Sequence, residues 1–461
     1  MNQNGNWQWG QGPAPEEQNH TENGWNSAPG QQGQPGQQSQ PSDGWNTPDN
    51  GSAPPPPRAG QWSGINRQDR PYTDGWNSAG NTPGGPGGLG GTGYYSAQQG
   101  FSPFPSPAQI ARGQLKSTVR RVVPALLILL LVEYIFAYGV SAAIDFSLAS
   151  RIELWQRGFR FPDNTYFGMS YGLYDLLTSY LPVIVGEIAA IIFLRFMTKI
   201  PFRQLFGRPV IPENTENRYI APGADLSAGR RHMPGGIWVL FAALAGIGFS
   251  MIGQIFAILE LNFLDTIGFP YYSPDFSTVD YTLLETVLIN LYVCVFGPIL
   301  EELIFRGFML RSLQKHGVSF AAVFTAILFT LYHMNLVQLC VPMLVGLFLA
   351  VLTIRTDSLI PAICCHILNN TIATLGDYLM PNDEIWSWVY LIVECAIFIG
   401  ILAIFWIYYG RHFSPILRWR NPDIRLSSQL GAAVASWPTV VFICIYFLML
   451  AASTLMTMMG G

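Results

Sequence analysis

Nine long apolar stretches constrain this chain more than any other feature of its sequence. Each is ~17–25 residues long, the length that an α-helix needs to cross ~30 Å of hydrocarbon. Backbone groups in lipid must be hydrogen-bonded internally, so such stretches fold as helices. The sequence therefore predicts an all-α, polytopic transmembrane helical bundle of about eight to nine spans. The stretches lie near residues 122–144, 172–196, 236–259, 282–312, 318–335, 338–354, 358–380, 385–409 and 437–459.

The first 118 residues differ in composition from the rest of the chain, because Gly, Pro, Gln, Asn and Ser dominate them. Such a stretch cannot bury enough apolar surface to offset the entropy of the chain, so we predict a disordered tail over 1–118. The membrane domain is expected to occupy 119–461. The tripeptide Gly-Trp-Asn recurs in the tail, which indicates either aromatic groups for weak multivalent binding or drift in a low-complexity segment. Its copies lie at 24–26, 44–46 and 75–77.

The basic residues predict the orientation of the bundle, since Lys and Arg are enriched in cytoplasmic loops. They precede the first span and follow the second and eighth spans, whereas the loop at 260–281 has none. The loop at 145–170 does not fit this distribution of basic residues, because it has three arginines beside three acidic residues. We predict a multi-pass protein of a bacterial cell membrane, with a cytoplasmic N-terminus and the C-terminus on the opposite side.

The cysteines carry more information than the net charge. A net charge of −4 is small and says little about partners; no nucleic-acid partner is expected. All six cysteines lie in apolar stretches without metal-type spacing. They are therefore interpreted as small buried hydrophobic residues, with neither disulfides nor a zinc site among them.

Two adjacent acids, Glu301 and Glu302, interrupt the fourth apolar stretch. A charged side chain at the bilayer centre costs ~2.5–3.5 kcal/mol on insertion scales, so intramembrane acids are either paired or functional. Glu133, Glu187 and Glu394 also lie inside apolar stretches. No partner for these three is visible at helical spacing, and each is expected either to line a cavity or to bond to a neighbouring helix.

The tight turn between the fourth and fifth spans brings Glu301 and His333 to similar depths. At 1.5 Å per residue, Glu301 lies roughly 21 Å from Lys315, and His333 lies roughly 24 Å from Gly317. The two helices are antiparallel neighbours. We therefore expect the carboxyl group and the imidazole to lie in one layer of the bundle.

The seventh span adds two polar residues to this layer. His366 and Asn370 lie roughly 13 Å and 20 Å from the turn at Asp357. They are four residues apart, so they share one face of a helix. Three spans therefore converge on Glu301, Glu302, His333, His366 and Asn370.

Hydrolysis of an amide needs groups of these types. A carboxylate and a histidine can hold and deprotonate a water molecule. A second histidine and a side-chain amide can donate hydrogen bonds to the developing oxyanion. Arg306 lies four residues after Glu302, on the same helix face, and is expected to pair with it. Pro298 follows Gly297 and should kink the helix, because proline removes a backbone hydrogen bond.

Three other interpretations of these polar residues stay open. The acids and histidines would do no more than join helices in a purely structural protein. A divalent metal such as zinc could be held by Glu301, His333 and His366, although no His-Glu-x-x-His motif is present. The adjacent glutamates point about 100° apart on a helix, so a metal-free mechanism is preferred. A transporter is less favoured, since no inverted repeat is apparent.

Three short motifs in this chain resemble the signature of the CPBP intramembrane proteases. They are Glu301-Glu302 with Arg306, Phe329 with His333, and His366 with Asn370, in that order. The family includes the type II CAAX prenyl endopeptidases and the bacterial Abi proteins linked to bacteriocin immunity. The resemblance covers about 282–380.

The resemblance implies a helical bundle with endopeptidase activity on a membrane-associated or lipidated substrate. Glu301 and His333 would activate water, His366 and Asn370 would stabilise the oxyanion, and Glu302 would support the site with Arg306. The expected partners are membrane lipid and a membrane-tethered peptide or protein. Because some Abi-type members have no known substrate, a non-enzymatic role in immunity or as a scaffold is the alternative.

Overall fold

The structure is a computed structural model that describes most of the chain from residue 105 onwards. The predicted tail lies outside the described residues over 1–104, and so do the Gly-Trp-Asn repeats. The described ranges are 105–162, 165–207, 211–212, 230–231, 235–271, 281–380, 383–418, 421 and 423–460.

Helices dominate the described residues. The first half contains α1 (Pro107–Val122), α2 (Pro124–Ser147), α3 (Ala149–Gln156), α4 (Tyr171–Asp175), α5 (Leu181–Thr198), α6 (Phe202–Leu205), α7 (Gly235–Thr266) and α8 (Leu283–Leu291). The second half contains α9 (Gly297–Glu302), α10 (Arg311–Leu313), α11 (Val318–Tyr332), α12 (Cys340–Thr356), α13 (Ile360–Leu379), α14 (Glu384–Arg418), α15 (Leu426–Val434) and α16 (Trp437–Gly460). π-helical segments lie at Leu176–Tyr180, Tyr292–Phe296 and Leu303–Leu310, and a 3₁₀ turn lies at Gln314–His316.

Four very short strands accompany the helices. β1 (Thr165–Tyr166) pairs with β2 (Met169–Ser170) in an antiparallel hairpin, with Thr165 opposite Ser170 and Tyr166 opposite Met169. β3 (Ile211–Pro212) pairs with β4 (Arg230–Arg231), also antiparallel, with Ile211 opposite Arg231 and Pro212 opposite Arg230. The all-α prediction is confirmed.

Six helical segments of the described chain are long and apolar enough to cross a membrane. They are Pro107–Ser147, Tyr171–Thr198, Gly236–Thr266, Leu283–His316, Ile385–Gly410 and Trp437–Met459. The other three predicted stretches are also helices, but α11 and α12 have only 15 and 17 residues. α13 has 20 residues, and its histidine, asparagines and threonines make it more polar. Six of the nine predicted stretches thus meet this criterion, and the other three are helices that are shorter or more polar.

The predicted boundary of the tail at residue 118 was wrong, because α1 begins at Pro107. Ser106 accepts a hydrogen bond from the Gln109 backbone, and the Gln109 side chain accepts one from the Ser106 backbone. This capping box and the proline at the first helical position both favour a helix start. The capping signal overrides the polar composition of the segment.

Helix α12 lies at the centre of the bundle. It packs against α7, α11 and α13, while α7 also contacts α14, and α2 packs against α5. From Phe348 to Thr356 every residue of α12 is buried. Because a helix that is apolar on all sides is found inside a protein as well as in lipid, the apolar character of α12 reflects the core of this domain.

The predicted kink at Pro298 takes the form of a π-helical turn. In the segment Tyr292–Phe296 the backbone N–H groups reach back five residues, and the N–H of Gly297 donates to the carbonyl of Tyr292. In the same register the next donor would be Pro298, which has no N–H. The carbonyl of Val293 is therefore left to another partner.

Gly186 sets the close approach of α5 to α2. A Cβ atom at Gly186 would lie 2.8 Å from the carbonyl oxygen of Leu129 and 3.2 Å from Cβ of Glu133. We expect Gly186→Ala to lower the free energy of unfolding by ~1–3 kcal/mol, because the backbone must move to relieve the overlap. Thermal unfolding in detergent measures the change. Gly139→Ala on α2 is the matched control, since nothing lies within 4 Å of its added Cβ. Equal melting temperatures for the two variants would contradict the packing argument.

Candidate active site

A buried ion pair lies at the centre of the predicted polar layer. Nη1 of Arg306 donates to Oε1 of Glu302 at 2.6 Å, and both side chains are 0% exposed. The two residues are four apart, so the helix itself brings them together, as the sequence analysis predicted. A charge-assisted hydrogen bond of this kind is stronger than a neutral one. The pair allows a carboxylate to remain in an apolar interior.

Two further contacts hold the guanidinium of Arg306 in place. Its Nη2 donates to the carbonyl of Gly346 on α12 at 3.2 Å. Its Cζ lies 4.2 Å from the centre of the Phe329 ring, within the range of a cation–π interaction. A Cβ at position 346 would lie 3.1 Å from Nη2 of Arg306, so glycine allows this approach. Arg306 thus joins its own segment to α11 and α12.

His366 bridges the two glutamates. Its Nδ1 donates to Oε1 of Glu302 at 2.9 Å, and its Nε2 lies 3.5 Å from Oε2 of Glu301. The bond to Glu302 requires a hydrogen on Nδ1, so it directs Nε2 towards Glu301. The Glu301 side chain is 16% exposed, whereas that of Glu302 is 0% exposed. The adjacent glutamates therefore differ in access and in number of partners.

His333 lies at the C-terminal end of α11, next to this cluster but not bonded to it. Its Nδ1 donates to the carbonyl of Phe329 at 2.9 Å. Between the described side chains of Glu301 and His333 there is no hydrogen bond or ion pair. The Phe329 ring contacts both histidines, with centroids 5.0 Å from His333 and 5.8 Å from His366. The direct ion-pair partner of Glu301 is therefore His366, and the predicted proximity of Glu301 to His333 is looser than expected.

Asn370 pairs with the backbone carbonyl that Pro298 leaves without a partner. Its Nδ2 donates to the carbonyl of Val293 at 3.0 Å, which is the carbonyl that the proline leaves without a partner in the π-helical turn. Its Oδ1 accepts from Asn369 at 3.3 Å. A primary amide carries two N–H groups, so one remains for a ligand.

Glu187, one of the intramembrane acids expected to line a cavity or to bond to a neighbouring helix, bonds to the segments that carry this site. Both of its carboxylate oxygens accept hydrogen bonds, from Tyr292 at 3.1 Å and from Tyr332 at 3.3 Å. No helical spacing links these residues, because they come from three different helical segments. The only sequence signal is indirect: Tyr332 immediately precedes His333.

Comparison with known families identifies the segment that carries this cluster. Residues 283–372 match the family model described as Type II CAAX prenyl endopeptidase Rce1-like. The segment includes Glu301, Arg306, His333, His366 and Asn370. No curated protein and no solved structure matches the chain. Residues 283–372 belong to the CPBP family of intramembrane proteases. The membrane-spanning helices and the match of this segment to a family of membrane proteases indicate a multi-pass membrane protein.

The arrangement in the CPBP segment bears on the metal alternative. Among the residues that the structure describes, no group of three or more His, Cys, Asp or Glu side chains is placed to hold a metal ion. Oε1 of Glu302 and Nδ1 of His366 bond to each other, and Arg306 brings a positive charge to the same carboxylate. These bonds occupy Glu302 and Nδ1 of His366, whereas the metal alternative concerned Glu301, His333 and His366, so a metal-free site stays a prediction.

The buried ion pair of the CPBP segment gives a prediction about stability. We expect Arg306→Leu to lower the free energy of unfolding by ~3–5 kcal/mol, because it leaves the Glu302 carboxylate buried without its cation. Arg157→Leu is the matched control, since Arg157 pairs with Glu153 at the surface with exposures of 72% and 60%. Exposed pairs contribute ~0–1 kcal/mol. Chemical denaturation in detergent measures both variants, and a similar small loss for each would contradict the assignment.

Proposed function

We propose that this protein is an endopeptidase that hydrolyses a peptide bond of a membrane-associated or lipidated substrate. The observation that carries the proposal is the inequality of the two adjacent glutamates. Glu302 is fully buried and held by Arg306 and His366, whereas the Glu301 side chain is 16% exposed and lies 3.5 Å from Nε2 of His366. Glu301 is thus the carboxylate that has room to receive a proton from water.

Water activation is assigned to Glu301 together with His333. Nδ1 of His333 carries hydrogen, because it donates to the Phe329 carbonyl. In the neutral ring Nε2 then has a free lone pair and accepts a hydrogen bond from water. A water molecule between Nε2 and the Glu301 carboxylate would be oriented by the histidine and deprotonated by the glutamate.

The activated water then attacks the carbonyl carbon of the peptide bond. The water oxygen bonds to the carbonyl carbon, its proton moves to Glu301, and the carbonyl π electrons move to oxygen. An N–H at Nε2 of His366 and the second N–H of Asn370 would donate to this oxyanion. As the C–N bond breaks, Glu301 returns its proton to the leaving amine, which yields a carboxylic acid and an amine.

Glu302 supports these reaction steps without contacting the substrate. Because its Oε1 accepts from Nδ1 of His366, it keeps the ring in one orientation with Nε2 towards Glu301. Arg306 in turn stabilises the carboxylate, so the two residues act through His366.

The expected partners of the site are membrane lipid and a tethered peptide. A suitable probe is a fluorogenic peptide in liposomes, prepared once with a prenylated cysteine near its C-terminus and once with an unlipidated transmembrane anchor. Cleavage of one form and not the other would identify which tether the site accepts.

The catalytic assignment predicts large losses of activity. We expect Glu301→Gln and His333→Ala each to lower kcat by at least ~10²-fold, the contribution typical of general acid–base groups. Both proteins should insert and melt like the wild type. Glu394→Gln on α14 is the control, because it removes another intramembrane acid away from the site. Full activity in Glu301→Gln would contradict the catalytic assignment, whereas absence of cleavage by the wild type would favour a non-enzymatic Abi-type role.

We also propose that hydrolysis uses no metal. Dialysis against EDTA or 1,10-phenanthroline should leave kcat within about twofold, because protein side chains alone supply the base and the oxyanion donors. A loss of activity that zinc restores would contradict this part and return Glu301, His333 and His366 to the role of ligands.

A further inference from the structure

Glu187 is a buried acid that the proposed hydrolysis does not use. It lies on α5 with an exposure of 0%, and no ion pair within the described part of the chain neutralises it. A polar group buried in this way is costly unless it is hydrogen-bonded. Its two oxygens accept from two tyrosine hydroxyls, at 3.1 Å from Tyr292 and 3.3 Å from Tyr332. One carboxyl group thus joins two side chains that are far apart in sequence.

The two tyrosines belong to the two segments that carry the water-activating residues. Tyr292 opens the π-helical turn, and its carbonyl accepts from the N–H of Gly297, where α9 with Glu301 begins. Tyr332 is the last residue of α11 and is followed directly by His333. A displacement of either tyrosine would therefore move Glu301 or His333 relative to the other.

Other contacts place this group against the site. The Tyr332 ring lies 5.6 Å from that of Phe305, and the Tyr292 ring lies 5.8 Å from that of Tyr180. Helix α5, which carries Glu187, also packs against α9, which carries Glu301. The Glu187–tyrosine group, meaning Glu187, Tyr292 and Tyr332, thus lies beside Glu301 and leads directly to His333.

We propose that Glu187 is a positioning residue for the hydrolysis. By holding Tyr292 and Tyr332 it sets the separation between the Glu301 carboxyl group and the His333 ring, which share no direct bond. Such a separation matters because a misplacement of about 1 Å can cost ~10²-fold in rate. This inference rests on the proposed function.

Two substitutions at position 187 separate the role of the bridge from that of the charge. In Glu187→Gln the amide oxygen can accept from one tyrosine and the amide N–H can donate to the other, so the bridge survives. We expect kcat to stay within about threefold of the wild type. Glu187→Leu removes both bonds, and we expect kcat to fall by ~10–100-fold with KM within about twofold, since geometry and not substrate binding is lost.

The tyrosines provide a second test with smaller changes in volume. Tyr292→Phe and Tyr332→Phe remove only the hydroxyl groups, and each should lower kcat. Adding Glu187→Leu to the double phenylalanine variant should produce no further loss, because the bridge is already absent. Tyr134→Phe on α2 is the matched control and should keep wild-type activity.

Hydrogen exchange provides a readout that needs no substrate. The amides at 332–339 should exchange faster in Glu187→Leu than in the wild type and in Glu187→Gln, since the end of α11 loses its tether. Exchange and kcat that are both unchanged in Glu187→Leu would overturn the positioning role. If Glu301→Gln is fully active while the amides at 332–339 still exchange faster in Glu187→Leu, the catalytic assignment of Glu301 fails. The structural role of Glu187 at the end of α11 is then retained.

Discussion

The buried chain of bonds from Arg306 through Glu302 to His366 is the interaction on which the rest of this site depends. A carboxylate at 0% exposure is tolerated because a guanidinium lies 2.6 Å from it, and the guanidinium is itself held by Gly346 and Phe329. The same carboxylate orients His366 towards Glu301. Four helical segments are therefore joined through one ion pair, and breaking an ion pair at such a place is costly.

The backbone around the pair departs from a regular helix, and the departures serve the same site. A π-helical turn precedes Pro298, and a second π-helical segment contains Arg306. Such segments occur frequently at functional sites. The carbonyl of Val293, which proline leaves unpaired, accepts from Asn370. Asn370 thus has a structural bond on one N–H and a free donor on the other, which combines support of the helix with the proposed oxyanion role.

Much of the fold followed from the sequence, because the length and apolar character of a segment suffice to predict a helix in lipid. Length and apolar character alone did not separate the six long helices from α11 and α12, which are shorter and largely buried in the bundle. The distance of each residue along its helix predicted that the five candidate residues lie in one layer, but this depth is only one coordinate. Rotation about each helix axis decides which histidine faces Glu301, and this rotation depends on packing against neighbouring helices.

The sequence by itself determined the class of structure, the membrane location and the residue set, since each depends on local composition or on spacing along one helix. The Arg306–Glu302 pair belongs to this group, because its partners are four residues apart. Only the tertiary structure decided that His366 bonds to Glu302 and lies within ion-pair distance of Glu301, that Phe329 contacts both histidines, and that Glu187 joins Tyr292 to Tyr332. The hydrogen bonds among these contacts link residues 64 to 145 positions apart. No periodicity in the sequence records them, because they arise where separately formed helices pack together.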